Sequence, residues 1–335
     1  MKDFTRRNFL KFGAAGTAGL ATVLNFPTLG RRLALARPGS NFFTIAVISD
    51  TQNYVDVTHA QPFNESIFIS QTKYLAEHKY DLNLVFVSHV GDVVQHGDGT
   101  NGTPGDDSYG AGAEWVSAKK AIDILDATGA PFSMSIGNHD YDNMFHLALG
   151  NYPPLVSTAP GWKTFFGSGS KYFRHKPWYG GASDNVGYIS TGAGGSVAGM
   201  WPPAGTPCNY GLSSYQFFSA GGKRFLHISL EMEAGDNAIA WAQGVIDSHR
   251  GHATILTTHS YESPPPWGDD NLPLVEPAAR NAASFLVNSP GGWNDATAVW
   301  NKLIAPNDQI FMVLCGHSWT STEGGVSKGE EHPHR

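Results

Sequence analysis

Short apolar runs in this chain break off at polar residues. Residues 42–49 stop at Asp50-Thr51-Gln52, residues 82–90 at Gly91-Asp92, and residues 131–136 at Gly137-Asn138-His139-Asp140. The pattern returns later, where 253–258 end at His259 and 309–315 at Gly316-His317. Runs this short, rich in β-branched residues, predict buried strands. Between them, apolar positions recur at helical spacing over 64–78, 113–128, 236–249 and 295–304. Strand and helix in alternation predict a layered α/β core with ligands at the carboxyl ends of the strands, where all five polar clusters fall. A further pair of runs, 214–219 and 223–231 around Ala220-Gly221-Gly222, predicts a β-hairpin and hence a mixed sheet.

Two stretches do not follow this pattern. In residues 1–36, Thr5-Arg6-Arg7-Asn8-Phe9-Leu10-Lys11 precedes a small-residue apolar run and then Ala34-Leu35-Ala36, an A-x-A cleavage pattern. The paired arginines resemble a twin-arginine export signal. That resemblance implies a periplasmic or secreted protein, with the twin-arginine export machinery as a partner and a cofactor inserted before export. Gly13, Gly16, Gly19 and Pro27 make the run a poor spanning helix, and no second apolar run of about 18 residues follows, so no membrane span is expected after the signal. The other stretch, 141–212, lacks periodicity and is expected to be a long irregular insertion in a single domain covering 37–335. Its Trp162, Phe165, Phe166, Tyr172, Phe173, Trp178, Tyr179 and Trp201 either wall a cleft or pin the segment to the core, and pinning is the commoner role.

Composition narrows the function classes. Of 335 residues, 39 are Gly and 20 Pro, which disfavours a coiled coil or helical array. Removing residues 1–36 takes six of the 22 basic and one of the 29 acidic residues, leaving 16 against 28, a formal charge of −12. A broad basic face for nucleic acid is therefore not expected. Cys208 and Cys315 are too few for a disulfide framework, and no G-x-S-x-G elbow supports a serine hydrolase built on His259-Ser260.

The strand-end residues carry the candidate chemistry. One Asp at a strand end is usually a cap, and a lone His usually a satisfied structural residue. Asp50, Asp92, Asn138, His259 and His317 at five separate strand ends match what two divalent ions need: a bridging carboxylate with terminal oxygen and imidazole ligands.

Asp50-Thr51-Gln52, Gly91-Asp92, Gly137-Asn138-His139-Asp140, Thr258-His259 and Gly316-His317 resemble, in order, the D-x-H, G-D, G-N-H-D/E, x-H and G-H-x-H signatures of the calcineurin-like metallophosphoesterases. The resemblance implies a four-layer αββα sandwich of two mixed sheets flanked by helices, holding two divalent metal ions (Mn, Mg, Ca, Fe or Zn). It implies that Asp92 bridges them, that Asp50 and Gln52 serve the first, and that Asn138, His259 and His317 serve the second. It further implies hydrolysis of a small phosphate mono- or diester by a metal-bridging hydroxide, with His139 as general acid or electrostatic stabiliser, and Asp140 either orienting that imidazole or serving as a turn or cap residue. Two ions, two carboxylates and one hydroxide leave about +1, which attracts phosphate to an acidic protein.

The sequence departs from the family pattern at the first metal. Gln52 and Trp319 stand where His is usual. A neutral amide oxygen shifts preference toward Mn²⁺, Mg²⁺ or Ca²⁺ over Zn²⁺, and Trp cannot ligate. His96 and His89 are the nearby candidates to compensate, and a degenerate metal-binding scaffold without activity is the competing reading. Gln95 occupies the position of the iron-binding Tyr in the purple acid phosphatase branch, which sets that branch aside. The chain stops 18 residues after His317. The family normally continues with further strands, so either this sheet closes differently or the sequence is truncated.

Overall fold

The computed structural model describes residues 42–56, 65–97, 112–140, 160–183, 211–261 and 294–317. The export signal, Trp201, Cys208, Trp319, the C-terminal tail and most of 141–212 lie outside the described residues.

The element order is β1 (Thr44–Ile48), α1 (Gln52–Val55), α2 (Glu65–Glu77), β2 (Leu84–His89), α3 (Ala113–Ala127), β3 (Phe132–Met134), a 3₁₀ turn (Asn138–Asp140), α4 (Pro160–Phe166), β4 (Tyr179–Ala182), β5 (Ser214–Ala220), β6 (Lys223–Ser229), α5 (Asp236–Ser248), β7 (Ala253–Thr257), α6 (Ala296–Val299), which continues as a π-helical turn (Trp300–Ile304), and β8 (Ile310–Leu314). One sheet has the order β1-β2-β3, all parallel. The other has the order β4-β5-β6-β7-β8, antiparallel as far as β6 and parallel beyond it.

The helices form where the apolar period is close to 3.6. On α2 the buried residues are Phe68, Thr72 and Leu75, and on α3 they include Trp115, Ala118, Ile122 and Leu125. Both stripes pack with Leu84, Val87 and Phe132 on the outer face of the three-stranded sheet. On α5, Ala238, Ile239, Ala242, Val245 and Ile246 pack with Leu226, Ile228 and Leu256 on the outer face of the other sheet and with Leu303 of the π-helical turn. Between the sheets, Val85 and Phe86 meet Phe218, Phe225, Ala253 and Ile255, with the Phe86 and Phe218 rings stacked at 4.8 Å. This is the expected αββα layering. A polar seam crosses the same inner layer, where Ser88 Oγ lies 2.9 Å from Thr257 Oγ1 and Ser135 Oγ 2.6 Å from Ser229 Oγ.

One expectation changes. Residues 160–183 contain α4 and β4, so the 141–212 segment is not uniformly irregular. Trp162, Phe166, Tyr172, Phe173 and Trp178 are buried in the cluster beneath α3, the pinning role. Among the described residues of this segment the elements are short, and seven helical or four strand residues are too few to show a period.

Register places the site. Ile48 pairs with His89 and His89 with Met134, while Ser229 pairs with Thr257 and Thr257 with Leu314. The parallel strands therefore end level within each sheet, and the polar clusters follow within four residues of those ends.

Candidate metal centre

Asp50, Asp92, Asn138, His259 and His317 converge at these ends, all buried. Asp92 Oδ2 lies 3.0 Å from His259 Nε2, Asn138 Oδ1 lies 3.1 Å from the same nitrogen, and His317 Nδ1 lies 2.9 Å from Asn138 Oδ1. Asp50 Oδ1 accepts the His317 amide N–H at 2.9 Å and lies 3.9 Å from His259 Nδ1, and Ser49 Oγ donates to its other oxygen.

The backbone is bent to make this possible. Asp50, Asp92 and His317 have φ of 33°, 51° and 68°, a region unfavourable for residues with a Cβ and concentrated at functional sites. The motif glycines answer a second need. A Cβ on Gly91, which itself has φ of 112°, would sit 2.6 Å from His259 Nδ1, and one on Gly137 would overlap the Asp92 carboxylate.

The donor set suits divalent cations. His259 Nδ1 faces the Val90 carbonyl at 3.0 Å, and a carbonyl can only accept, so Nδ1 carries a hydrogen. In the neutral ring the Nε2 lone pair then points at two oxygen acceptors, an arrangement that needs a proton or a metal ion between them. Burial alone lowers the proton affinity of His259, but the Asp92 and Asp50 charges overcome it and lift the group to about 10. Asp92, His259 and His317 offer ligand atoms within 4.8 Å of one another.

Gln52 joins the cluster with its amide nitrogen inward, donating to Asp92 Oδ2 at 3.3 Å. Service as a ligand requires the amide to turn so that its oxygen faces the ion.

Neither compensating histidine enters the site as a ligand in this arrangement. His89 Nδ1 accepts from the Gly91 N–H at 3.2 Å, so its hydrogen is on Nε2, 3.1 Å from Thr51 Oγ1. Both nitrogens are engaged and burial holds the ring neutral down to about 3. His96 is drawn away by Glu114, its Nδ1 2.9 Å from Oε1, and with Asp56 these residues form a second buried group with ligand atoms within 4.8 Å.

His139 and Asp140 occupy the 3₁₀ turn with Asn138. The His139 amide donates to Asp92 Oδ1 at 2.9 Å, and its ring Nδ1 lies 3.1 Å from the Gln95 carbonyl, so Nδ1 is the protonated nitrogen. Asp140 had two readings from the sequence, orienting that ring or holding the turn. Its oxygens accept backbone N–H groups, Oδ1 from Val93 and Val94 and Oδ2 from Gly137, at 2.8, 3.1 and 2.9 Å. It thereby ties the loop after β2 to the turn after β3. Burial, then the Asp92 charge, push Asp140 up to about 8 against these hydrogen bonds.

Sequence reasoning missed the carbonyls of Val90 and Gln95, since a backbone acceptor carries no residue signature. It also missed Glu114, whose partners lie 18 and 19 residues away on another segment.

The sequence profile of the family described as calcineurin-like phosphoesterase matches residues 43–318. The profile of the twin-arginine translocation pathway signal matches residues 3–23, so the N-terminus directs export to the periplasm or beyond the cell. The chain is also similar to the uncharacterized protein YvnB of Bacillus subtilis (strain 168), 25% identical over 282 residues that make up 84% of this chain and 16% of that protein. It therefore spans about one sixth of that relative's length. Among the described residues no helix is long and apolar enough to cross a membrane.

Proposed function

This chain belongs to the calcineurin-like phosphoesterase family, and from that premise we propose that it is an exported, metal-dependent hydrolase of small phosphate mono- or diesters. The observation that carries this reading is the chain of contacts from Asp92 to His259, His259 to Asn138 and Asn138 to His317, at 3.0, 3.1 and 2.9 Å between sequence-distant residues. Asp92, Asn138, His259 and His317 would hold one divalent ion, and Asp50, Gln52 and Asp92 the other. Bound divalent ions supply Lewis-acid activation of water and of the phosphoryl oxygens.

The chain's own residues do the rest. Asp92 accepts the His139 amide N–H, which links the carboxylate that would serve both ions to the turn that carries His139. Protonated His139 keeps its Nδ1 hydrogen on the Gln95 carbonyl and donates its Nε2 hydrogen to the leaving-group oxygen as the P–O bond breaks. Water supplies the new P–O bond, and solvent returns the proton to His139. Asp140 keeps the loop and turn in register through three amides.

The test is hydrolysis of bis(p-nitrophenyl) phosphate beside p-nitrophenyl phosphate, over a Mn²⁺, Mg²⁺, Ca²⁺ and Zn²⁺ series, with Asp92→Ala as control. Metal-dependent turnover lost in the control supports the reading and reveals the diester or monoester bias. Absence of turnover with every metal favours the scaffold alternative raised by Gln52.

A further inference from the structure

Glu114 lies in the first turn of α3, only 5% exposed, and its carboxylate is turned to a neighbouring segment. Oε2 accepts the backbone N–H of Gln95 at 2.8 Å and of His96 at 2.9 Å, and Oε1 faces His96 Nδ1 at 2.9 Å. The His96 N–H and the Gln95 carbonyl belong to one peptide unit, in which they point in opposite directions. One side of that unit therefore meets Glu114 and the other meets His139 Nδ1. An anion on the N–H polarises the carbonyl beyond it, making it a stronger acceptor. The same helix turn holds the next residue, since Trp115 Nε1 donates to the Gly97 carbonyl at 3.1 Å and the Gly97 N–H donates to the His139 carbonyl at 2.9 Å. His139 is thus gripped by ring and backbone through residues 95–97, which are themselves gripped by Glu114 and Trp115.

We propose that Glu114 is a positioning residue for His139: through the Gln95–His96 peptide its carboxylate fixes the carbonyl that holds Nδ1–H, leaving Nε2 turned to the leaving-group oxygen. The proposal rests on the phosphoesterase reading for its kinetic consequence, though not for its structural one.

Glu114→Ala and Glu114→Gln test it, the isosteric Gln carrying the experiment should the Ala protein fail to fold. In the metal-loaded protein, kcat on alkyl phosphate esters, which need a proton at the leaving oxygen, should fall about 10–100-fold. The p-nitrophenyl esters, whose leaving groups need little help, should stay within about threefold, with KM and metal content unchanged. In metal-free protein, ¹⁵N spectra should show His139 moving from the pure Nδ1–H tautomer to a mixture. Equal losses on both ester classes, no change on either, or an unaltered tautomer would overturn the proposal. Loss of one metal equivalent per chain would also overturn it, by showing that Glu114 holds a cation with Asp56 and His96. If the wild-type protein hydrolyses neither ester class with any metal, the phosphoesterase reading fails, and the tautomer measurement still decides the Glu114 contact.

Discussion

His259 and Asp92, at the ends of β7 and β2 in different sheets, meet through Nε2 and Oδ2 at 3.0 Å. The contact forms only because both parallel sheet segments end level and face each other, so the site is a property of the sandwich rather than of any one motif. Asp92→Asn keeps an oxygen for the His139 amide but removes the charge. Metal affinity should fall by more than the roughly 10–100-fold that loss of an outer partner costs. Titration calorimetry with Mn²⁺ on chelated protein measures it, and an affinity within tenfold of wild type would count against Asp92 as the bridging ligand.

His139→Ala separates acid catalysis from metal binding. Turnover of esters with poor leaving groups should fall by about 10²–10⁴, the usual share of a positioned proton donor. Metal content by elemental analysis should stay at the wild-type value, because the ring faces the Gln95 carbonyl and only the backbone N–H serves Asp92. Unchanged turnover would remove His139 from the mechanism.

Two glycine substitutions should act in opposite directions. Gly137→Ala forces a methyl into the Asp92 carboxylate and backbone, and should destabilise by at least the roughly 1–3 kcal/mol of overpacking while dispersing the ligands. Gly244 lies inside α5, where an added Cβ meets nothing within 4 Å. Gly244→Ala should therefore stabilise by about 0.5–1 kcal/mol through helix propensity. Urea denaturation of both proteins reads the two signs.

Much of this was legible along the chain because apolar runs and their polar stops are local. The hairpin turn at Gly221-Gly222, the long helices α2, α3 and α5, and the strands that lead into the candidate ligands all fall within a few residues of their expected bounds. The candidate ligand residues could be named because each follows a buried strand with a side chain that has no apolar role. What escaped is non-local or backbone-borne. Asp140 was open in sequence between its neighbour His139 and a turn role, because the three amides from two segments that take its oxygens are not written next to it. His96 and His89 looked available because composition cannot show that Glu114 and Gly91 already occupy them.

The inner layer supplies a pH dependence that does not involve the candidate metal ligands. His227 is fully buried between the sheets, with Nδ1 3.0 Å from Gln216 Oε1 and Nε2 2.8 Å from Thr257 Oγ1, and its ring 4.6 Å from that of Phe86. Gln216 Oε1 accepts from Nδ1, and Thr257 Oγ1 can donate to Nε2, so the neutral ring is satisfied. Burial lowers its proton affinity from the ordinary 6.5 to about 3. Below 6.5 the unfolded chain gains a proton that the folded chain refuses until about 3, so stability falls with falling pH across that window. The slope is about 1.4 kcal/mol per pH unit, or about 2 kcal/mol between pH 7 and 5. His227→Gln should lower stability at pH 7, because the ring's packing against Phe86 is lost, yet flatten the pH dependence by one proton. His89, held neutral to about 3 as well, keeps part of the slope in both proteins. Urea midpoints from pH 7.5 to 4.5 measure the difference, and parallel curves for the two proteins would show that His227 takes up its proton in the folded state.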